Sequence, residues 1–382
     1  MDLTLSDEQR LLRESADRFV AETFTSEHRK KAVNDPLGYS PDIWKQFAEL
    51  GWLALPISEA HGGLGGGAIE IGLLMEAFGR GLVSEPFLST VVIGAALVAE
   101  CGTEAQQQAI LPRVAEGALT LAFAHSERAA RFDLAHVDTT ATKTAGGWRL
   151  NGSKIAVLDG AAAGQIIVSA RVANANGASG KLALFLVPTG APGLTLRDYA
   201  RLGGGRGCNL DLRDVQLPAD ALLGDGSDAL PAIETVVDHA MAALGAEAVG
   251  IMQTLLDTTL EYTKIRKQFG RPLSANQVIR HRLADVAMQV DEARSMALRA
   301  ALMANAEPVA RGRAASGAKA KIGKCARFVA EQAVQLHGAM GVTEELDIGA
   351  YFKRLVAYET LFGGSAHHYG RHASLGRTIV PA

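Results

Sequence analysis

The spacing of apolar positions changes twice along the chain. In the first third, apolar residues recur in short helical blocks set off by clear punctuation. Ser6 ahead of Asp7 and Glu8 predicts an N-cap with acids in the first turn, where unpaired backbone amides favour negative charge. Ser40 and Pro41 repeat the signal with proline at the first helical position, and Gly51 supplies the stop. Thr103 and Gln106 have capping-box spacing and open another helix. Between these, residues 61–67 carry five glycines in seven positions, which predicts a tight or flexible loop. That run lacks the GxGxxG spacing after a strand that a dinucleotide fold requires.

From about Leu119 the pattern turns to runs of strand length. Residues 137–142 and 148–150, joined through Gly146 and Gly147, predict a hairpin. Residues 165–170, 182–187, 193–197 and 209–217 continue in the same way, so the segment to about Gly226 reads as all-β. The last third returns to helix. Residues 231–266 hold no further proline after Pro231, and Val237, Leu244 and Ile251, seven apart, fall on one face of a bundle helix. Helices over 275–304, 310–337 and about 348–374 follow. This order predicts an α+β fold: an N-terminal helical domain over 1–118, a central β domain over 119–227 and a C-terminal four-helix bundle over 228–382. The absence of alternating βα units argues against a Rossmann fold.

Composition narrows the class. The 382 residues are 48% hydrophobic and 21% charged, and apolar runs such as 91–98 fall short of the ~20 residues that span a bilayer. A net charge of −3 with both signs interspersed offers no stripe for nucleic acid and no polybasic membrane tail. Cys101, Cys208 and Cys325 lie far apart without metal-ligand spacing, arguing against a disulfide framework or a zinc site. With no secretory pattern at the N-terminus, a reducing cytoplasm is the expected location.

Three strings carry a resemblance. Tyr262, Arg266, Gln268, Phe269, Gly270, Pro272, Leu273 and Gln277 fit YxxxRxQFGxPL…Q, a signature of acyl-CoA dehydrogenases. Gln335, Gly338, Gly341 and Thr343 resemble that family's QxxGGxGxT element, with Ala339 for its second glycine. Leu150, Asn151, Gly152 and Lys154 match its LNGxK strand. Within the family, LAFAHSERAARFDL, FKRL and TLFG look most like the small subunit of two-component pimeloyl-CoA dehydrogenases. The resemblance implies FAD between the β domain and the bundle, reaching into a neighbouring subunit of a dimer of dimers, and an acyl-CoA substrate in fatty acid metabolism. It also implies cofactor contacts from Arg266, whose planar fork suits a pyrophosphate, from Gln268 and Gln335 beside it, from Phe269 on the rings and from Gly338. Ser126 to Asp133 align without gaps to the family's TEPxxGSD, so Ser126 keeps the hydroxyl placed on the flavin. Phe132 replaces that motif's serine, and Ala156 and Leu158 replace a tryptophan and a threonine beside the ring, leaving backbone amides at Ser126 and Leu158 as donors.

Desaturating an acyl thioester needs a base for the α-proton while the β-hydride leaves for the flavin. The resemblance puts that glutamate at Phe362 or, in other members, at Ala240; Met241 replaces an arginine that helps fix the acyl-CoA. No catalytic residue is therefore assigned. Glu359, Asp238, His367 and His368 are the candidates for a substitute, set against duller roles: capping or helix-surface carboxylates and a solvated histidine face. Three functional readings follow: a small subunit that completes a partner's FAD site, a stand-alone dehydrogenase with an unusual base and a bulky or dicarboxylic acyl-CoA, or a flavin-dependent monooxygenase on the same fold. A flavin-free structural protein is the bland alternative.

Overall fold

The protein's structure, a computed structural model, describes residues 4–173 and 179–377. Its N-terminal helices are α1 (Asp7–Thr23), α2 (Ser26–Asn34), α3 (Pro41–Glu49), α4 (Ala68–Gly81), α5 (Ala96–Cys101) and α6 (Glu104–Ala115). The caps expected at their starts form: Ser6 and Thr103 make capping boxes with Gln9 and Gln106, and the Ser40 hydroxyl accepts from the Ile43 amide. A π-helical stretch, Leu88–Ala95, runs into α5 and is buried along nearly its whole length. The glycine run is a tight loop, where a Cβ at Gly63 would lie 1.9 Å from the Ile57 carbonyl oxygen.

The middle of the chain forms one seven-stranded sheet: β1 (Leu121–Ala124), β2 (Thr140–Thr144), β3 (Gly147–Leu158), β4 (Gln165–Ala173), β5 (Ser179–Pro188), β6 (Leu194–Ala200) and β7 (Arg206–Leu217). The order is β1-β4-β2-β3-β7-β6, with β5 also paired to β4. β1 is a strand the periodicity did not single out; four residues are too few to show alternation. β3 is far longer than its 148–150 core and bulges twice against β7, the second time between Lys154 and Val157, where Ala156 takes φ +54°.

The last third holds α7 (Leu230–Ile265), a two-residue hairpin of β8 (Lys267–Gln268) and β9 (Arg271–Pro272), then α8 (Gln277–Leu302), α9 (Pro308–His337), α10 (Ile348–Thr360) and α11 (Ser365–Arg377). The single helix expected over about 348–374 is two, because residues 361–364 turn: Phe362 and Gly363 have φ +55° and +110°. The fourth leg of the bundle is this broken pair, packed on α9. α7 is the one described helix long and apolar enough by composition to cross a membrane, so whole-helix hydropathy exceeds what the short apolar runs suggested. Its most apolar window is 89% buried, however, as befits a core helix. Val237, Leu244 and Ile251 all point inward, and α4 crosses α7 so closely that a Cβ on Gly250 would sit 1.9 Å from the Glu76 carbonyl oxygen.

Candidate functional site

The α10–α11 turn carries Phe362 to the place where the N-terminal core meets the bundle core, and its ring packs against both. Three side chains hold the turn. Lys319, fully buried on α9, donates to the carbonyls of Tyr358 (2.8 Å) and Gly363 (2.9 Å), with its ammonium 4.2 Å from the Tyr358 ring centroid. Burial pulls this lysine down to about 8. His368 Nε2 donates to the Phe362 carbonyl (3.0 Å), while burial pushes its pKa down to about 3 and keeps it neutral. Glu359 accepts from the Ser365 amide (2.6 Å) and hydroxyl (3.2 Å), which caps α11.

The Phe362 side chain lines a cavity of about 160 Å³ that also takes in Ser126, Ala156, Leu158, Phe132 and Leu361. Beneath Ser126, Glu127 and Lys154 form a buried ion pair (2.7 Å). The Glu127 carboxylate also accepts from the amides of Asp138 (2.7 Å) and Thr139 (3.1 Å), so the 126–139 loop is tied down by one side chain. Burial works to raise Glu127, but Lys154 and these donors outweigh it and hold the carboxyl low. Phe132 and Phe362 extend from this cavity into an outer mouth of about 530 Å³, with Met241, Glu234, His367 and Arg371 on its far side.

The substitute bases fare differently from the sequence expectation. Asp238 is no surface carboxylate: it is buried and paired with Arg371 (2.6 Å) and Arg311 (3.3 Å), because the turn of α7 that buries Ala240 brings it against α9 and α11. His368 is likewise buried instead of solvated, bridging Ser316 and Phe362. Glu359 does cap a helix. His367 sits at the mouth, its ring 5.4 Å from that of Phe132.

The expected cofactor residues fall in two places. Ser126 and Leu158 line the Phe362 cavity, whereas Arg266, Gln268, Gln335 and Gly338 line a separate cleft of about 480 Å³ where the start of α8 meets the end of α9. Phe269 lines neither: it stands fully exposed at the tip of the β8–β9 hairpin, where it and Gly270 both have positive φ, as a two-residue type I′ turn requires.

Residues 6–118, 122–216 and 230–373 match in turn the N-terminal, middle and C-terminal domains of acyl-CoA dehydrogenases. The chain belongs to the acyl-CoA dehydrogenase family. It is 32% identical over 356 residues to the probable acyl-CoA dehydrogenase YngJ of Bacillus subtilis, covering 91% of this chain and 92% of that one. Its fold matches butyryl-CoA dehydrogenase from Megasphaera elsdenii over all of both chains, with a TM-score of 0.90 and 27% identity. It also matches a chain of the ChsE4-ChsE5 complex from Mycobacterium tuberculosis, again over all of both, with a TM-score of 0.87 and 26% identity. FAD is the cofactor this fold binds.

This family member's residues fit that cofactor. Among the described residues, the Ser126 hydroxyl and the Arg266 guanidinium have no hydrogen-bond partner within the chain, so both stand ready for a polar ligand. Ser126 would meet the ring and Arg266 the phosphates.

Sequence reasoning missed a second chamber behind the first. It is small, about 40 Å³, and shares Leu158 and Leu361 with the Phe362 cavity. Phe78, Val83, Leu88 and Leu244 give it apolar walls, but its inner end gathers Glu85, Asp159, Arg201, Glu247 and Arg354. Arg354 pairs with Glu247 (2.6 Å) and donates to the carbonyls of Val83, Gly203 and Gly204. Asp159 accepts from Ser89 (2.7 Å), and burial raises it and pushes Glu85 up to about 7. These residues come from five separate stretches of chain, and no local motif announces the cluster.

Proposed function

We propose that this chain is the small subunit of a heteromeric acyl-CoA dehydrogenase, completing a partner's FAD site without a base of its own for acyl-CoA desaturation. Bound FAD supplies the hydride acceptor; what a catalytic chain must add is an acceptor for the α-proton. The observation that supports the reading is the placement of Phe362 on the cavity wall while the nearby Glu359 carboxylate is spent on the amide and hydroxyl of Ser365. The carboxylate that does line the cavity, Asp133, lies on the exposed loop and accepts from the Ala135 amide. A thioester α-carbon is too weak an acid to ionise at useful rates beside a benzene ring. The split of the cofactor residues between two clefts suits a site built from two chains, and the similar ChsE4-ChsE5 structure is a complex of two components.

The test is anaerobic spectroscopy of the flavin-loaded chain. The parent should keep its yellow colour when mixed with acyl-CoA thioesters of varied length, and Phe362→Glu should be bleached by at least one of them. Bleaching of the parent defeats the proposal and favours a stand-alone dehydrogenase.

A further inference from the structure

We propose that the groove between α2, the β6–β7 loop and the start of α10 is a phosphate site, with Arg201 and the Gly349 amide as inner donors and Lys30 and Lys353 on the rim. Its ligand is an organic phosphate or diphosphate whose apolar part rests on Phe24 and Leu346. The groove shares no lining residue with either flavin cleft, so the site goes beyond the subunit role and needs no base.

Charge comes first. The groove has a volume of about 550 Å³, and Arg201, Lys30 and Lys353 on its walls make no hydrogen bond or ion pair among the described residues. Glu344 is the carboxylate among the lining residues. The acid that could have balanced the cations, Asp347, is spent elsewhere: it pairs with Arg29 and accepts from the Ser26 hydroxyl. A chain whose net charge is −3 thus gathers unpaired positive charge in one concavity. Like charges held together cost stability, and a bound polyanion offsets that cost.

The backbone points the same way. Asp347 stands at the N-cap of α10, yet its carboxylate is drawn toward α2 and makes no capping hydrogen bond. The amide of Gly349, in the first turn, therefore has no acceptor among the described residues. A Cβ on Gly349 would meet nothing within 4 Å, so the groove wall is open at this point. First-turn amides carry the positive end of the helix dipole and suit phosphate oxygens. The loop that carries Arg201 is pinned to the same helix. Arg354 of α10 donates to the carbonyls of Gly203 and Gly204, and a Cβ on Gly203 would lie 2.6 Å from the Arg354 Cα. The Arg201 amide donates in turn to the Gly205 carbonyl (3.1 Å). A lone carboxylate would leave most of this positive charge unanswered. A phosphate monoester brings nearly two negative charges and three acceptor oxygens, which the planar fork of an arginine can engage in pairs.

The experiment titrates pyrophosphate into the full chain by calorimetry at low ionic strength. Binding should weaken steeply as salt is added. Arg201→Met should lower the affinity about tenfold or more, the size of one charge-assisted hydrogen bond, and Lys30→Ala/Lys353→Ala several-fold. Gly349→Asp guards against a mere folding defect: an acid in the first helical turn favours the helix, so thermal stability should hold while pyrophosphate binding is lost. Arg266→Ala, in the cleft fitted to the flavin phosphates, should leave binding in the groove unchanged. Phosphatidic acid vesicles report the source of the phosphate: co-sedimentation that Gly349→Asp abolishes puts it on a lipid, and none leaves a soluble organic phosphate. Absence of pyrophosphate binding, binding that survives Gly349→Asp, or binding lost in Arg266→Ala overturns the proposal. So does tighter binding of a glutamate hexapeptide than of pyrophosphate, which would make the groove a docking face for an acidic protein segment.

Discussion

Glu85 shows how much one side chain's surroundings decide. It is 6% exposed, accepts from the amides of Ser84 (3.2 Å) and Ser40 (3.4 Å), and forms no ion pair among the described residues, Arg354 acting on it only through space. Burial pushes it to about 7, so the folded chain holds a proton there that the unfolded chain has already released. The stabilisation this provides is fully present below the unfolded value near 4.5 and is lost as pH rises through 7. Glu85→Gln, which mimics the protonated form, should match the parent in urea melts at pH 5 and exceed it by about 2 kcal/mol at pH 8. The same scale explains what the sequence concealed. Asp238 looked like a surface acid because its partners, Arg311 and Arg371, lie 73 and 133 positions away. Charge on a helix reads as solvated until the fold shows what packs across from it. Lys154 was legible because its strand motif is local, even though its partner Glu127 sits 27 residues upstream.

Among the elements, the α10–α11 turn concentrates the chemistry. Its backbone is bent away from helix at Phe362 and Gly363, and Lys319 donates both to the Tyr358 carbonyl in the last turn of α10 and to the Gly363 carbonyl of the turn itself. Replacing the lysine leaves the Gly363 carbonyl without a partner among the described residues and the Tyr358 carbonyl with the Leu361 amide alone. Lys319→Met should therefore cost about 3 kcal/mol in chemical denaturation at pH 7, more than the lost attraction of an exposed ion pair would explain. The Gly363 and Gly364 pair was the sequence's signal for this break, though apolar periodicity on both sides concealed it. Helix starts were easier to read, since Ser6, Ser40 and Thr103 act on amides within three residues of themselves. β3 lay between: its hairpin start was visible, and its length and bulges were set by the pairing with β7.

For the whole molecule, the residues proposed to contact the flavin fall in two places, Ser126 with Leu158 in one cleft and Arg266 with Gln335 in another. If this chain lends the second half to a partner, Arg266→Ala should lower the flavin content of the heteromer several-fold. Ser126→Ala should leave it near the parent value. Absorbance at the flavin band per mole of complex reads both, and the reverse pattern would mean that this chain mainly houses its own flavin. The hairpin beside Arg266 adds a practical corollary. Phe269 is held wholly in water on left-handed backbone, with Ile265 also exposed just before it. A lone copy thus wears a greasy knob, and solutions of the unaccompanied chain should cloud on concentration in high salt, whereas Phe269→Ser should stay clear.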